Sequence, residues 1–354
     1  MENKYKKLLE SLTKIAQSEG ASDVHLSEGR YPTIRVDGAL VPLEAGSVLT
    51  REDLEEILLV FLTPDKREKF IQEKEYDFSH EILGQRFRGN VFFQQGHISI
   101  VLRLIANKVK TLDELNVPDT LELFARKKQG FFLVVGPTGH GKSTTLSAII
   151  EIINEHRNAH ILTIEDPIEF VYQQKRSIID QREIGTDTDN FTNALRAMFR
   201  EDIDVVLIGE MRGQETIETA ITAAETGHLV FSTLHTNSAA QTIDRIIDTF
   251  PGDQQKQIRN QLSGSLLGIF SQRLVKTLNG GRTPAYELLI NTNAVANLIR
   301  EGRIAEIDSF IETGSEQGMI SFNHSLANLV RRGIISVEEA YANSMNQRNL
   351  ERLL

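Results

Sequence analysis

The 354-residue chain contains no cysteine and no tryptophan. Without cysteine there is no disulfide, no thiol nucleophile and no thiolate-bound zinc. Aromatic residues make up only 6% of the chain, and the formal net charge is −10. A surface built to track nucleic acid needs a basic face interleaved with aromatics, and the sequence shows no such patch. No apolar run approaches the ~18 residues that a membrane-spanning helix requires. The opening stretch, MENKYKKLLESL, is charged and amphipathic and lacks the apolar centre of a signal peptide. The expectation is a cytosolic protein, or one peripheral to a membrane through a partner.

What is present suggests two globular domains, since 40% of residues are hydrophobic and 25% charged. Tyr5, Leu8, Leu9, Leu12 and Ile15 recur at helical spacing, so a first helix is expected there. Asp37-Gly38 and Gln95-Gly96 each separate two strand-like runs and predict hairpins. Thr50 and Asp53 form a capping-box pattern ahead of Leu54, Ile57, Leu58 and Phe61. This mixture predicts a small α+β domain over 1–105, with ANKVKTLDELNVP (106–118) as a linker. Beyond it, apolar strands alternate with helices at 131–135, 160–164, 205–208 and 229–232. That alternation predicts a mostly parallel, doubly wound α/β sheet over 119–282. After Arg282 the strands thin out and 283–354 reads as a helical region.

The first of those strands runs into FFLVVGPTGHGKSTTLSAII, in which Gly136, Gly141, Lys142 and Ser143 fit G-x-x-x-x-G-K-[ST]. Glycines in this position let backbone N–H groups curl around phosphate oxygens, helped by the positive end of the following helix. Lys142 is placed to reach β- and γ-phosphates, and the Ser143 hydroxyl to ligate Mg²⁺. The cradle therefore comprises Gly136, Pro137, Thr138, Gly139, His140, Gly141, Lys142, Ser143 and Thr144.

Ligands of open α/β sheets bind beyond the carboxyl ends of the strands. Here the second strand ends in Glu165 and Asp166, with Glu169 past a proline. The third ends in Glu210 and Arg212, and the fourth in Thr233 and His235. Phosphate cradle, two acidic ends and a hydroxyl/imidazole end on one edge supply what ATP hydrolysis needs. His228 and His235 do not make a metal pair. Along a strand they stand roughly 23 Å apart at about 3.3 Å per residue, whereas zinc bonds are only about 2 Å long.

Taken in order, the phosphate loop, IEDPIEF, DVVLIGEMR and AAETGHLVFSTLHTN resemble the Walker A, Asp-box, Walker B and His-box motifs of the type II/IV secretion system ATPase superfamily. The likeness extends through ASDVHLSEG and IRVDG before them and LIREG after them, so it covers nearly the whole chain. The short N-terminal region and the missing cysteines are similar to the PilT/PilU pilus-retraction branch. The extension and type II secretion branches usually carry a tetracysteine zinc element.

The resemblance implies a PAS-like N-terminal domain, a RecA-like ATPase domain with a helical C-terminal tail, and ATP with Mg²⁺ as ligands. It implies a homo-hexamer under a PilC-like inner-membrane platform protein, at the cytoplasmic face of that membrane. A second retraction ATPase is a further partner; nucleic acid is not. By motif, Glu165 orients the attacking water, Glu210 holds Mg²⁺ through water opposite Ser143, and His235 completes the catalytic set. Thr233, Arg212 and His228 are candidates for a sensor or an interface. Arg86, Arg88 and Arg103 fall on family arginines that reach ATP from the N-terminal domain, in place or across a subunit boundary.

Three positions depart from the family pattern. His140 replaces a loop serine, and its side chain is expected to matter little because loop contacts to phosphate are mostly backbone. Ile203 stands where proline is usual. Ala296 stands where a helical motif carries its first arginine, with Arg300 and Arg303 expected on the same side. Two other outputs remain open to this residue pattern, a nucleic-acid translocase and a nucleotide-gated scaffold with little turnover.

Overall fold

The computed structural model describes residues 2–36, 38–44, 46–105 and 109–354. Asp37 of the first predicted turn and residues 106–108 of the predicted linker lie outside them. The chain divides into two compact units: Met1–Lys108 with Glu169–Val171, and Val109–Ile168 with Tyr172–Leu354.

In the first unit, α1 (Glu2–Ser18), α2 (Arg51–Phe61) and α3 (Pro64–Glu73) accompany a six-stranded sheet. Its strands are β1 (Asp23–Ser27), β2 (Thr33–Val36), β3 (Ala39–Pro42), β4 (Glu75–Ile82), β5 (Gln85–Gln94) and β6 (His97–Leu104), in the order β3-β2-β1-β6-β5-β4. Both predicted hairpins form, β2–β3 and β5–β6. In the second, Gln95 and Gly96 both take positive φ, 51° and 82°, the turn whose twist matches the strands. The Thr50 box is made in full: its hydroxyl accepts from the Asp53 N–H, and the Asp53 carboxylate accepts from the Thr50 N–H. Tyr5, Leu9, Leu12, Leu54 and Ile57 bury themselves with Val24, Leu26, Phe87, Val91, Ile100 and Leu102. The two-residue strand period then turns Asp23, Arg88 and Arg103 to the other face.

The second unit holds a seven-stranded sheet in the order β13-β12-β7-β11-β10-β8-β9. The strands are β7 (Gly130–Val135), β8 (His160–Glu165), β9 (Ile178–Glu183), β10 (Val205–Ile208), β11 (Leu229–Leu234), β12 (Leu266–Lys276) and β13 (Arg282–Ile290). All pairings are parallel except β12–β13. Among the described residues the helices are α4 (Glu122–Ala125), α5 (Lys142–His156), α6 (Phe191–Met198), α7 (Gln214–Glu225), α8 (Ala239–Asp248), α9 (Gly252–Ser265), α10 (Asn293–Glu301), α11 (Ile307–Thr313), α12 (Phe322–Arg331), α13 (Val337–Asn343) and α14 (Gln347–Leu353).

Strand β7 is buried at every position, as a central parallel strand must be. Phe131, Leu133 and Val135 pack with α6 to α11 on one face. Phe132 points the other way and meets Phe124 of α4, ring centroids 4.1 Å apart. Helices therefore cover both faces, and the α/β expectation holds.

The helical reading of everything after residue 282 needs correcting, because Arg282–Ile290 is the edge strand β13. Pro284 disguised it: proline cannot donate to a ladder, but an edge strand tolerates one. The second half of the predicted linker is packed rather than loose, with Leu112 and Val117 only 5% and 6% exposed.

Candidate active site

The loop between β7 and α5 is shaped by what lies beneath it. Gly136 has φ 144°, and a Cβ there would sit 2.2 Å from the backbone oxygen of Gln272. Gly141 has φ 82° and admits only hydrogen at that face, since a Cβ would be 2.9 Å from the Gln272 side-chain nitrogen. It also serves as the N-cap of α5 and supplies no side-chain cap. The helix thus begins with its N-terminal amides and positive dipole end available to an anion. Lys142, 7% exposed, donates to the carbonyls of Gly136 (2.9 Å) and Pro137 (3.0 Å). Carbonyl oxygens hold an ammonium through neutral dipoles, and phosphate oxygens are the stronger acceptors.

The acidic strand ends converge as the register requires. Ile164 and Ile208 are partners across β8 and β10, so Glu165 closes β8 one residue past that pair and Glu210 lies two residues past the end of β10. The Gly209 N–H donates to the Ile164 carbonyl at 2.8 Å, closing the two ends together. Glu165 is 7% exposed and its Oε1 accepts from the Thr163 hydroxyl at 2.7 Å. Glu210 pairs with Arg212 and lies 3.5 Å from His235 Nε2. His235 Nδ1 lies 3.4 Å from both Lys142 Nζ and the Thr138 hydroxyl. An ammonium can only donate, so Nδ1 is the acceptor and the ring proton sits on Nε2, facing Glu210. Lys142, His235 and Glu210 thereby form one chain of contacts across three strand ends.

Thr233 donates to the Gly209 carbonyl at 2.6 Å and so stitches β11 to the end of β10. Asp166 follows β8, whereas Glu169 belongs to the other unit. His228 stands away from the nucleotide edge, where its place in the sequence puts it. It precedes β11 at the far end of a six-residue strand, roughly 20 Å from the nucleotide edge. Its Nδ1 lies 3.1 Å from the Ala223 carbonyl, and its ring meets Phe199 edge-on.

In the first unit, Arg88 and Arg103 are cross-strand partners. Arg103 holds Asp23 at 2.9 Å while its own side chain stays 68% exposed. Burial alone would raise the Asp23 carboxyl, but hydrogen bonds from Ser22 and Arg103 and the guanidinium charge hold it below the usual carboxylate value. Arg86 lies on β5 beside them, paired in register with Glu81.

Sequence reading missed the support under the loop. Gln272 of β12, 3% exposed, accepts from the Thr145 hydroxyl (2.7 Å) and donates to the His140 carbonyl (2.9 Å). The sequence gives the His140 side chain little part in holding phosphate. Instead its Nδ1 accepts the Leu274 N–H of β12 at 2.9 Å. Ser271 of the same strand donates to the Asn237 carbonyl, and Glu287 of β13 accepts the first N–H of α8, from Ala239. Burial pushes the Glu287 carboxyl up to about 7 against the opposing pull of that hydrogen bond.

The donor set fits Mg²⁺. Ser143 and Glu210 offer hard oxygens, and Mg²⁺ in nucleotide sites is held by one or two carboxylates plus substrate phosphates. Among the described residues no three His, Cys, Asp or Glu side chains gather into an all-protein metal cage.

The sequence model of the family described as type II/IV secretion system protein matches residues 2–283. The chain is 46% identical to the type IV pilus retraction ATPase PilT of Pseudomonas aeruginosa, covering 93% of this chain and 96% of that one. It is 38% identical to the type IV pilus ATPase PilU of the same organism, covering 98% and 91%. A crystal structure of the pilus retraction motor PilT with bound ADP superposes with a TM-score of 0.91, at 44% identity over 97% and 98% of the two chains.

Proposed function

The chain belongs to the type II/IV secretion system protein family, and from that premise we propose that it is an ATP-hydrolysing motor that drives type IV pilus retraction. The observation that carries the chemistry is the meeting of phosphate loop, Glu165, Glu210 and His235 at one edge of a parallel sheet. Lys142 and the N-terminal amides of α5 hold the phosphates. Glu165, buried and oriented by Thr163, positions the attacking water. Ser143 and, through water, Glu210 would hold Mg²⁺, which would supply neutralisation of the phosphate charge. His235 links the cradle to Glu210 and reports on both.

The same reading gives the assembly: a homo-hexamer working at the cytoplasmic face of the inner membrane against a PilC-like platform protein. No helix among the described residues is long and apolar enough to cross a membrane, which suits attachment through that partner. If Arg86, Arg88 or Arg103 reaches ATP bound to a neighbouring subunit, turnover per chain falls when the protein is diluted below its assembly range. Neutralising Arg86 or Arg88 then slows hydrolysis without lowering the melting temperature, whereas neutralising Arg103 also removes the partner of the buried Asp23 carboxylate and lowers it. A dilute monomer with full turnover would contradict the trans-arginine role.

Ala296 bears on which kind of motor this is. Arg303 cannot replace the absent arginine, because α10 stops at the left-handed Gly302 and Arg303 lies beyond it, bridging Glu301 and Glu306. Arg300 remains on the helix and donates to Asn297. We therefore expect an accessory motor that reaches full force only beside a second retraction ATPase. Pilus-retraction imaging tests both levels. In a strain lacking only this chain, wild type restores the lost retraction and Lys142→Ala does not. As the sole retraction ATPase it gives weak retraction or none despite ATP turnover. Restoration by Lys142→Ala would remove the motor reading, and full-force retraction alone would remove the accessory one.

A further inference from the structure

The loop position at which this chain carries histidine has an unexpected neighbour in β12. That strand outruns β7: their pairing ends at Ser271–Val135, while β12 continues to Lys276. Beyond Ser271, its edge toward β7 has no strand to satisfy its N–H groups, and each buried orphan is costly. Two side chains answer. The Leu274 N–H donates to His140 Nδ1 at 2.9 Å, and the Lys276 N–H, two residues on and hence on the same edge, donates to Glu339 at 3.0 Å. Leu274 is in register with Pro284 of β13 on its other side, and its N–H points away from that strand to the imidazole.

We propose that His140 is a positioning residue: its neutral imidazole latches the phosphate loop to β12 and holds the cradle in its phosphate-binding shape. The inference rests on the ATP-site reading above. Two further bonds act on the same loop, from Gln272 to the His140 carbonyl and from Thr145 to Gln272. The imidazole adds a point of attachment that responds to protonation. Only the unprotonated Nδ1 can accept, and the imidazolium would present an N–H to an N–H. Burial lowers the His140 pKa below the ordinary 6.5, aided by the surrounding cations Arg282 of β13, Arg273 of β12 and Lys142 of α5. The sign follows from that direction. The latch is fully closed above the ordinary histidine value and opens as pH falls through the depressed one.

Three full-length proteins test this: wild type, His140→Ala, and His140→Asn, whose amide oxygen can stand where Nδ1 stands. In His140→Ala, affinity for a fluorescent ATP analogue falls about fivefold, the effect of one ordinary hydrogen bond, and the loss falls on KM more than on kcat. His140→Asn recovers most of it. Without nucleotide, amide exchange over residues 136–144 speeds up in His140→Ala but not in His140→Asn. Relative to His140→Asn, wild-type loop exchange rises as pH is lowered from about 7.5, above the ordinary histidine value, to about 4.5, well below it. The intrinsic pH dependence of exchange is common to both and cancels in the ratio. The latch is overturned if His140→Ala matches wild type, if His140→Asn does no better than His140→Ala, or if the exchange ratio is flat with pH. Should His140→Ala fail to fold, the pH comparison between the other two decides. Absence of ATP binding by wild type would remove the ATP-site reading, and the exchange data would still decide the latch.

Discussion

Glu165→Gln and Glu210→Gln bind ATP and hydrolyse it at least about a hundredfold more slowly than wild type, the scale of losing one preorganised charged group in a transition state. Glutamine keeps the shape and one carbonyl oxygen, so in Glu165→Gln the Thr163 hydroxyl still has its acceptor and the end of β8 keeps its geometry. What goes is the negative charge that orders and activates water. In Glu210→Gln the change spreads further, because Arg212 and His235 both lose a carboxylate partner. That variant is expected to weaken Mg²⁺ dependence as well as turnover, while Glu165→Gln is not. Steady-state phosphate release with an independent nucleotide-binding assay checks both. Near-wild-type turnover in either variant would remove that residue from its role.

Lys142→Ala has the second large effect, a loss of ATP affinity on the order of a hundredfold, as expected for removing one side of a buried, charge-assisted contact. Its cause is local. Lys142 is a buried cation whose ammonium donates to the Gly136 and Pro137 carbonyls, and a triphosphate offers it oxygens of matching charge. The fold should tolerate the change, since the carbonyls of Gly136 and Pro137 lose a donor but no apolar packing is removed. Nucleotide titration beside a thermal melt separates the two. Unaltered affinity in a folded variant would contradict the cradle assignment.

How much of this was legible depended on whether the signal was local. Strands β7, β8, β10 and β11 were readable because parallel strands covered on both faces are short, unbroken apolar runs, and the functional residues sit just past their ends. The Thr50 box and the Gln95-Gly96 turn were readable because their partners lie within a few residues. Strand β12 was not, since α9 passes directly into it at Leu266 with no turn residue between them, Gly264 still belonging to the helix. Missing β12 hid everything built on it. Gln272 and the Leu274 N–H meet His140, and Thr145 meets Gln272, across more than 120 residues of chain, a distance at which only the folded sheet can reveal the contact. The misplacement of Arg303 was avoidable: Gly302 is a helix-ending residue, and the left-handed turn there takes the next side chain off the face of α10.

The central claim is that four strand ends form one ATP site, and a structure of the chain with Mg²⁺ and a non-hydrolysable ATP analogue measures it most directly. The account predicts the β- and γ-phosphates against the backbone N–H groups at the start of α5, with Lys142 Nζ moved from the Gly136 and Pro137 carbonyls onto phosphate oxygens. It places the ion on the Ser143 hydroxyl and on the Glu210 side, and Glu165 one water away from the γ-phosphate. Phosphates bound away from the loop, or Glu165 turned from the γ-phosphate with no water between them, would contradict it.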